Sequence, residues 1–218
     1  MPPLYLTASV TLSEVRATPV VPQWIYSGQN QISDPVNLIW HGYGQAWWIE
    51  NVIVNYLGWD AILFCAETAY LNSDGTHAQD RQVENPPNNC ADRYHVRIWD
   101  MGYDPLWGYW AVGGAHIEHV ECCFRHVISQ DGWELAENEV LTEFASLFPH
   151  YAQTRIWIDN QGCIPAGSSS CQPNDGYAAF ITIPDTFSPN PCDQDPTLGC
   201  CISPERCPVG PSAKDGLG

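Results

Sequence analysis

The chain has 218 residues, 44% of them hydrophobic, with ten tryptophans, ten cysteines and a formal charge of −17. Its basic residues are one lysine, Lys214, and seven arginines, a balance that excludes nucleic-acid binding through the net field, since phosphate contacts need clustered Lys and Arg. No apolar run approaches the roughly 18 residues that span a bilayer as a helix, so no membrane span is expected.

The first predicted element is a strand. Leu4, Leu6, Ala8, Val10 and Leu12 alternate with Tyr5, Thr7, Ser9, Thr11 and Ser13, the period-two pattern of a half-buried strand. A Pro-punctuated connector follows instead of a tight turn, so the strand has no hairpin partner nearby. One short strand is expected within it at Val20–Tyr26. Val36–Trp40 reads as a buried strand. Ile49, Val52, Ile53, Tyr56 and Leu57 then fall on one helical stripe, closed by Gly58 where a helix C-cap belongs. "AILFC" reads as a short strand. Residues 67–89 are polar and punctuated by Asp74-Gly75 and Pro86-Pro87, which reads as a long surface loop.

"RYHVRIW" is a clear strand, and "YWAVGGAHIEHVECC" is a second, with a bulge expected at Gly113-Gly114. In "DGWELAENEVLTEFASLFP", Trp133, Ala136, Val140, Phe144 and Leu147 line one helical face. Asp131 and Glu134 have capping-box spacing, and Pro149 stops the helix. "TRIWI" and "YAAFITIP" are two more strands, with "CIPAGSSSC" a loop between them. The order predicts an α+β fold: a mostly antiparallel sheet with two helices on one face, in a split β-α-β-like arrangement. Three segments follow: residues 1–33 with the N-terminal extra strand and connector, 34–184 as the α+β domain, and 185–218 as a disulfide-rich, Cys/Pro-rich tail.

The cysteines are even in number and show no C-x-x-C spacing, so zinc ribbons and thioredoxin-type sites are not indicated. Disulfides are the default at Cys65, Cys90, Cys122, Cys123, Cys163, Cys171, Cys192, Cys200, Cys201 and Cys207, with Cys65–Cys90 and Cys163–Cys171 as loop staples. They imply an oxidising compartment, extracellular or at the cell surface. "MPPLYLTAS" has neither a basic n-region nor a long apolar h-region, so it does not read as a signal peptide, and the expectation is a mature or trimmed start or export by another route.

The candidate chemistry lies on the two long strands. Period two places His95 and Arg97 on one face of the first, and His116 and Glu118 on one face of the second. If the strands pair, His95, His116 and Glu118 converge, with His126 following. Two imidazoles and a carboxylate suit a divalent metal, or serve as general acid and base with Arg97 as an anion clamp. The competing reading is a cross-strand network with an Arg97–Glu118 ion pair and no cofactor. Asp193 and Asp195 have a calcium-like D-x-D spacing without the rest of an EF-hand loop. Trp47, Trp48, Trp107, Tyr109 and Trp110 suggest either a carbohydrate platform or packing.

The blocks "DPVNLIW", "LGW", "RYHVRIW", "VGGAHIEH", "RHV", "AENEV" and "DGYAAFITIP" resemble the LssY C-terminal-like domain family and its secreted relatives over residues 34–184. The family's H-x-R strand motif matches His95 and Arg97. Its G-x-A-H-x-E-like block matches His116 and Glu118, and a later H-V matches His126. The resemblance implies a fold and a residue cluster, not a reaction. The N-terminal strand, the vicinal cysteines and the tail are departures from it.

Two functions are therefore expected to compete. One is an extracellular structural or interaction protein that joins copies of itself head to tail, its Leu4–Leu12 strand completing a neighbour's sheet. The other is a metal-assisted or acid–base hydrolase using His95, Arg97, His116, Glu118 and His126.

Overall fold

The computed structural model describes residues 19–28, 30–62, 68–86, 92–121, 125–129, 131–165 and 171–184. The segment expected to form the N-terminal strand and the tail lie outside the described residues, as do Cys65, Cys90, Cys122, Cys123, Cys192, Cys200, Cys201 and Cys207. The protein is mixed α+β, mostly sheet, with two α-helices and predominantly antiparallel strands.

Two strands, β1 (Trp24–Gly28) and β2 (Gln31–Pro35), form a separate hairpin, so the connector carries a strand pair rather than the single strand its sequence suggests. Asn30 turns the chain at φ 59°, a left-handed conformation that asparagine tolerates. β3 (Leu38–Tyr43) leads into α1 (Ala46–Val52), whose chain continues as a π-helical turn, Ile53–Leu57. Gly58 ends it at φ 78°, as its position predicts. The wider turn breaks the 3.6-residue stripe, so Ile49, Val52 and Ile53 are buried while Tyr56 is exposed.

The polar stretch after α1 is not one loop. It contains part of a strand pair, β4 (Asp60–Ala61) with β5 (Arg81–Asn85), and β5 joins the sheet beside β6 (Asp92–Asp104). β6 and β7 (Gly108–Glu121) form the long central hairpin. Asp104 Oδ1 accepts from the backbone N–H groups of Leu106 and Trp107 at 2.7 and 3.0 Å, and Gly108 takes φ 74° to close the turn. β8 (Arg125–Ile128) folds back on the end of β7, and α2 (Gly132–Leu147) follows. Asp131 sits before α2 at φ 56° without a side-chain cap hydrogen bond, and Glu134 bonds elsewhere, so the expected capping box does not form. The expected loop between β9 (Thr154–Trp157) and the final strand, β12 (Tyr177–Ile183), carries a hairpin of β10 (Gly162–Pro165) and β11 (Cys171–Asn174). Its register sets Cys163 opposite Pro173 and Cys171 opposite Pro165.

The main sheet runs β4-β5-β6-β7-β3-β12-β9, with β8 on β7. Only β12 and β3 pair in parallel among the described residues. Since β7 is antiparallel to both neighbours, β3 and β6 run the same way with β7 between them.

Strand parity divides the interior in two. Val96 and Ile98 of β6, with Ala111 and Ala115 of β7, meet Ile49 and Val52 of α1 and Ala136, Val140 and Phe144 of α2. On the opposite face Trp99 and Val112 pack with Ile25 of the hairpin, Leu71, Trp107 and Trp110. Gly113 and Gly114 do not form a bulge; the β6–β7 register is regular through both. They serve close approach instead. A Cβ on Gly113 would lie 2.6 Å from the Trp40 ring and 2.7 Å from Arg97 O, and one on Gly114 would lie 2.2 Å from Ile25 Cδ1. Buried Asn37 fastens α2 to the sheet: its amide donates to Ala115 O and Trp133 O, and its oxygen accepts from Ala115 N. Among the described residues no helix is long and apolar enough to cross a membrane.

Candidate functional site

The same parity that sends Val96 and Ile98 toward the helices sends Arg93, His95 and Arg97 to the hairpin face. His116 and Glu118 point there from β7, because Ala115 faces the helices. The β6–β7 register then places His95 directly opposite His116 and Arg93 directly opposite Glu118. The expected convergence of His95, His116 and Glu118 is present. The two imidazole rings stand edge to face, 5.0 Å apart.

The expected Arg97–Glu118 pair is absent, because Arg97 is opposite Gly114, four residues from Glu118 along β7. Arg97 instead reaches Asp34 of the hairpin at 3.0 Å. Glu118 is held by Arg93, with Nε at 2.7 Å and the second amino nitrogen at 2.6 Å from Oε1. The other arm of Arg93 bonds Glu84 of β5. Arg97 is thus engaged within the protein rather than presented as an anion clamp.

His116 lies between two carboxylates, Nδ1 3.1 Å from Asp34 Oδ1 and Nε2 3.0 Å from Glu118 Oε2. Burial opposes the imidazolium, but Asp34 and Glu118 outweigh it and push His116 up to about 9. His95 goes the other way. Burial first, then the Arg97 guanidinium, push it down to about 3 against the pull of Glu118. Burial alone would raise Asp34, yet His116, Arg97 and Ser33 hold its carboxyl well below the usual range. Asp34 also accepts from Trp133 Nε1 at 3.2 Å, which ties the start of α2 to the cluster. His95 Nε2 meets Gln82 Oε1 at 3.2 Å. Both Nδ1 atoms lie 3.1 Å from a carboxylate oxygen, yet neither is aligned for a hydrogen bond.

Both imidazoles and all the charged groups are buried: His95 and Glu118 are 0% exposed, His116 and Arg93 1%, Asp34 and Glu84 3%, Arg97 5%. Chemically the arrangement can hold a proton or a cation among carboxylates and imidazoles. It offers no exposed edge to a large substrate. His126 belongs to β8, its backbone opposite Val120, and its side chain lies outside the described residues.

Sequence reasoning missed Asp34, Arg93, Glu84 and Gln82. Arg93 was within reach, since it continues the 93-95-97 row. Glu84 and Gln82 needed β5, and Asp34 needed the docking of the hairpin.

A second group with metal-like spacing joins Glu134, Glu137 and Asp175, but a guanidinium fills it. Arg155 Nε lies 2.7 Å from Glu137, and its amino nitrogen lies 3.0 Å from both Glu134 and Asp175. Of the aromatic residues, Trp107 and Trp110 are buried against each other at 5.2 Å, edge to face, in the second core. Trp47 and Trp48 lie on α1 and Tyr109 on β7 beside Tyr103, so the five do not share one surface.

Comparison with protein-family models, with curated proteins and with solved structures finds no match to this chain.

Proposed function

We propose that the chain is an extracellular structural or interaction subunit, in which the Leu4–Leu12 strand of one copy completes the sheet of the next. Such a head-to-tail contact builds open filaments when its rotation does not close a ring. The observation that carries this reading is the β9 end of the sheet. β9 is four residues long, pairs with β12 on one side, and has no strand on its other side among the described residues. Beside it runs an apolar groove of about 500 Å³, lined by Pro19, Val21, Trp107, Ile156, Trp157 and Ile158 together with Asp159. An edge of this kind invites pairing unless it is covered. The groove begins at Pro19, where the segment that carries the alternating strand enters the described body. That segment holds Glu14 and Arg16, so it is close to neutral and can approach an acidic neighbour without the repulsion its body would meet.

The hydrolase reading has less support. Its principal candidates, His95, His116 and Glu118, are at most 1% exposed, whereas hydrolysis needs a substrate bond and a water beside the acid and base. The LssY-like resemblance of residues 34–184 is compatible with either reading, since it implies the cluster and not a reaction.

Sedimentation velocity on the full chain and on a chain lacking residues 1–13 tests the proposal. The full chain should assemble with rising concentration, and the truncated chain should sediment as a folded monomer. Assembly of the truncated chain, or a full chain that stays monomeric at high concentration, refutes it.

A further inference from the structure

The buried cluster contains a contact that its protein groups do not resolve by themselves. With Gln82 Oε1 accepting from His95 Nε2, the imidazole carries its proton on Nε2 and presents the Nδ1 lone pair. That lone pair faces Glu118 Oε1 at 3.1 Å. Across the hairpin, His116 Nε2 lies 3.0 Å from Glu118 Oε2 with hydrogen-bond geometry, so its proton resolves that contact. His95 Nδ1 is left without an aligned partner in a site where both imidazoles and the carboxylate are at most 1% exposed. The Arg93 guanidinium at 2.6 and 2.7 Å offsets the charge on Glu118 Oε1 but leaves the buried His95 Nδ1 lone pair unpaired, a cost that the low dielectric of the interior sharpens. A divalent cation between the three groups, in place of the His116 Nε2 proton, pairs that lone pair and keeps both contacts to Glu118 favourable.

The spacing fits. Tetrahedral ligands about 2.0–2.1 Å from zinc stand roughly 3.3 Å apart. The nitrogen–oxygen separations here are 3.0 and 3.1 Å, and one ligand atom from each of the three residues lies within 4.8 Å of the others. The outer partners are also those a metal site uses. Gln82 meets the His95 nitrogen that faces away from the ion within hydrogen-bond distance, which orients that ring, and the Asp34 carboxylate lies 3.1 Å from the corresponding Nδ1 of His116. Charge allows it too. With both imidazoles neutral, the carboxylates of Asp34, Glu84 and Glu118 face the guanidinium groups of Arg93 and Arg97, one negative charge in excess. A divalent ion carrying a hydroxide balances that excess.

We propose that His95 Nδ1, His116 Nε2 and Glu118 bind one divalent cation of zinc type, in a closed centre that fastens β6 to β7. The centre does not depend on strand donation, and each can fail without the other.

The test uses the full chain. After exhaustive dialysis, elemental analysis should find about one equivalent of zinc, or the protein should take up one equivalent of added Zn²⁺ on refolding. Cobalt substitution should give a visible spectrum without a thiolate charge-transfer band, which separates this centre from the ten cysteines. His95→Gln and Glu118→Gln should each lose the metal while retaining the circular dichroism of the parent. Where a variant fails to fold, the cobalt spectrum and a chelator-induced fall in Tm of the unmodified chain, reversed by Zn²⁺, carry the decision. Folded protein that neither contains nor takes up stoichiometric metal overturns the proposal. So does metal retained by folded His95→Gln and Glu118→Gln, or a thiolate band in the cobalt form.

Discussion

Arg93 is the residue whose loss should cost the fold most. It is 1% exposed, and its guanidinium is shared between Glu118, 0% exposed, and Glu84, 3% exposed. Arg93→Met keeps much of the volume and removes the charge, leaving two buried carboxylates without their common partner. Breaking one buried ion pair by deleting a partner costs about 3–5 kcal/mol, a large part of the roughly 5–15 kcal/mol that stabilises a domain. With a urea slope of about 2 kcal/mol per molar, the unfolding midpoint should fall by roughly 2 M. Urea titrations of both proteins at pH 7, followed by tryptophan fluorescence under the same redox conditions, measure it. Adding Glu84→Gln to the variant removes one orphaned charge and should restore part of the loss. Arg93→Lys should not rescue, because a single ammonium cannot reproduce a planar fork that spans two carboxylates. A midpoint shift corresponding to less than about 1 kcal/mol for Arg93→Met would falsify the claim that these carboxylates depend on their guanidinium.

Two further outcomes are expected. Burial, against the pull of Arg155, pushes Glu137 up to about 8, so the folded chain keeps a proton that the unfolded chain sheds above its ordinary value of 4.5. Its contribution is therefore present below pH 4.5 and is lost as pH rises through 8, at roughly 1.4 kcal/mol per pH unit between those limits. Glu137→Gln should flatten that limb in chemical denaturation measured at pH 5, 6.5 and 8, and an unchanged slope rules Glu137 out as its source. Gly113→Ala should destabilise by about 1–3 kcal/mol, because its methyl meets both the Trp40 ring and the Arg97 carbonyl. A thermal melt equal to that of the parent would show that the sheet yields at this point without cost.

Much of the site was legible because period-two alternation is a local property. The rows His95–Arg97 and His116–Glu118 follow from the chain alone, and pairing those strands brings three of the five candidates together. Gly58 and the buried face of α2 were legible for the same reason, since a left-handed cap and a 3.6-residue stripe are set within a few residues. β5 was not. Its row facing the cluster is Gln82 and Glu84, polar side chains that bond His95 and Arg93, so a test for apolar alternation reads a loop. The capping box failed for a related reason, as Glu134 is drawn to Arg155 and the Asp175 backbone, partners far away in sequence.

The sequence by itself determined which face of each strand carries charge, because neighbouring side chains must alternate. Only the tertiary structure decided which charge meets which. Register across β6 and β7 gave Glu118 to Arg93 rather than Arg97, and hairpin docking brought Asp34 to both Arg97 and His116. Coulomb attraction and lone-pair repulsion act over a few ångströms of space and take no account of distance along the chain. The balance of acids, bases and cations in this site therefore comes into being with the packing of its three strands and the hairpin.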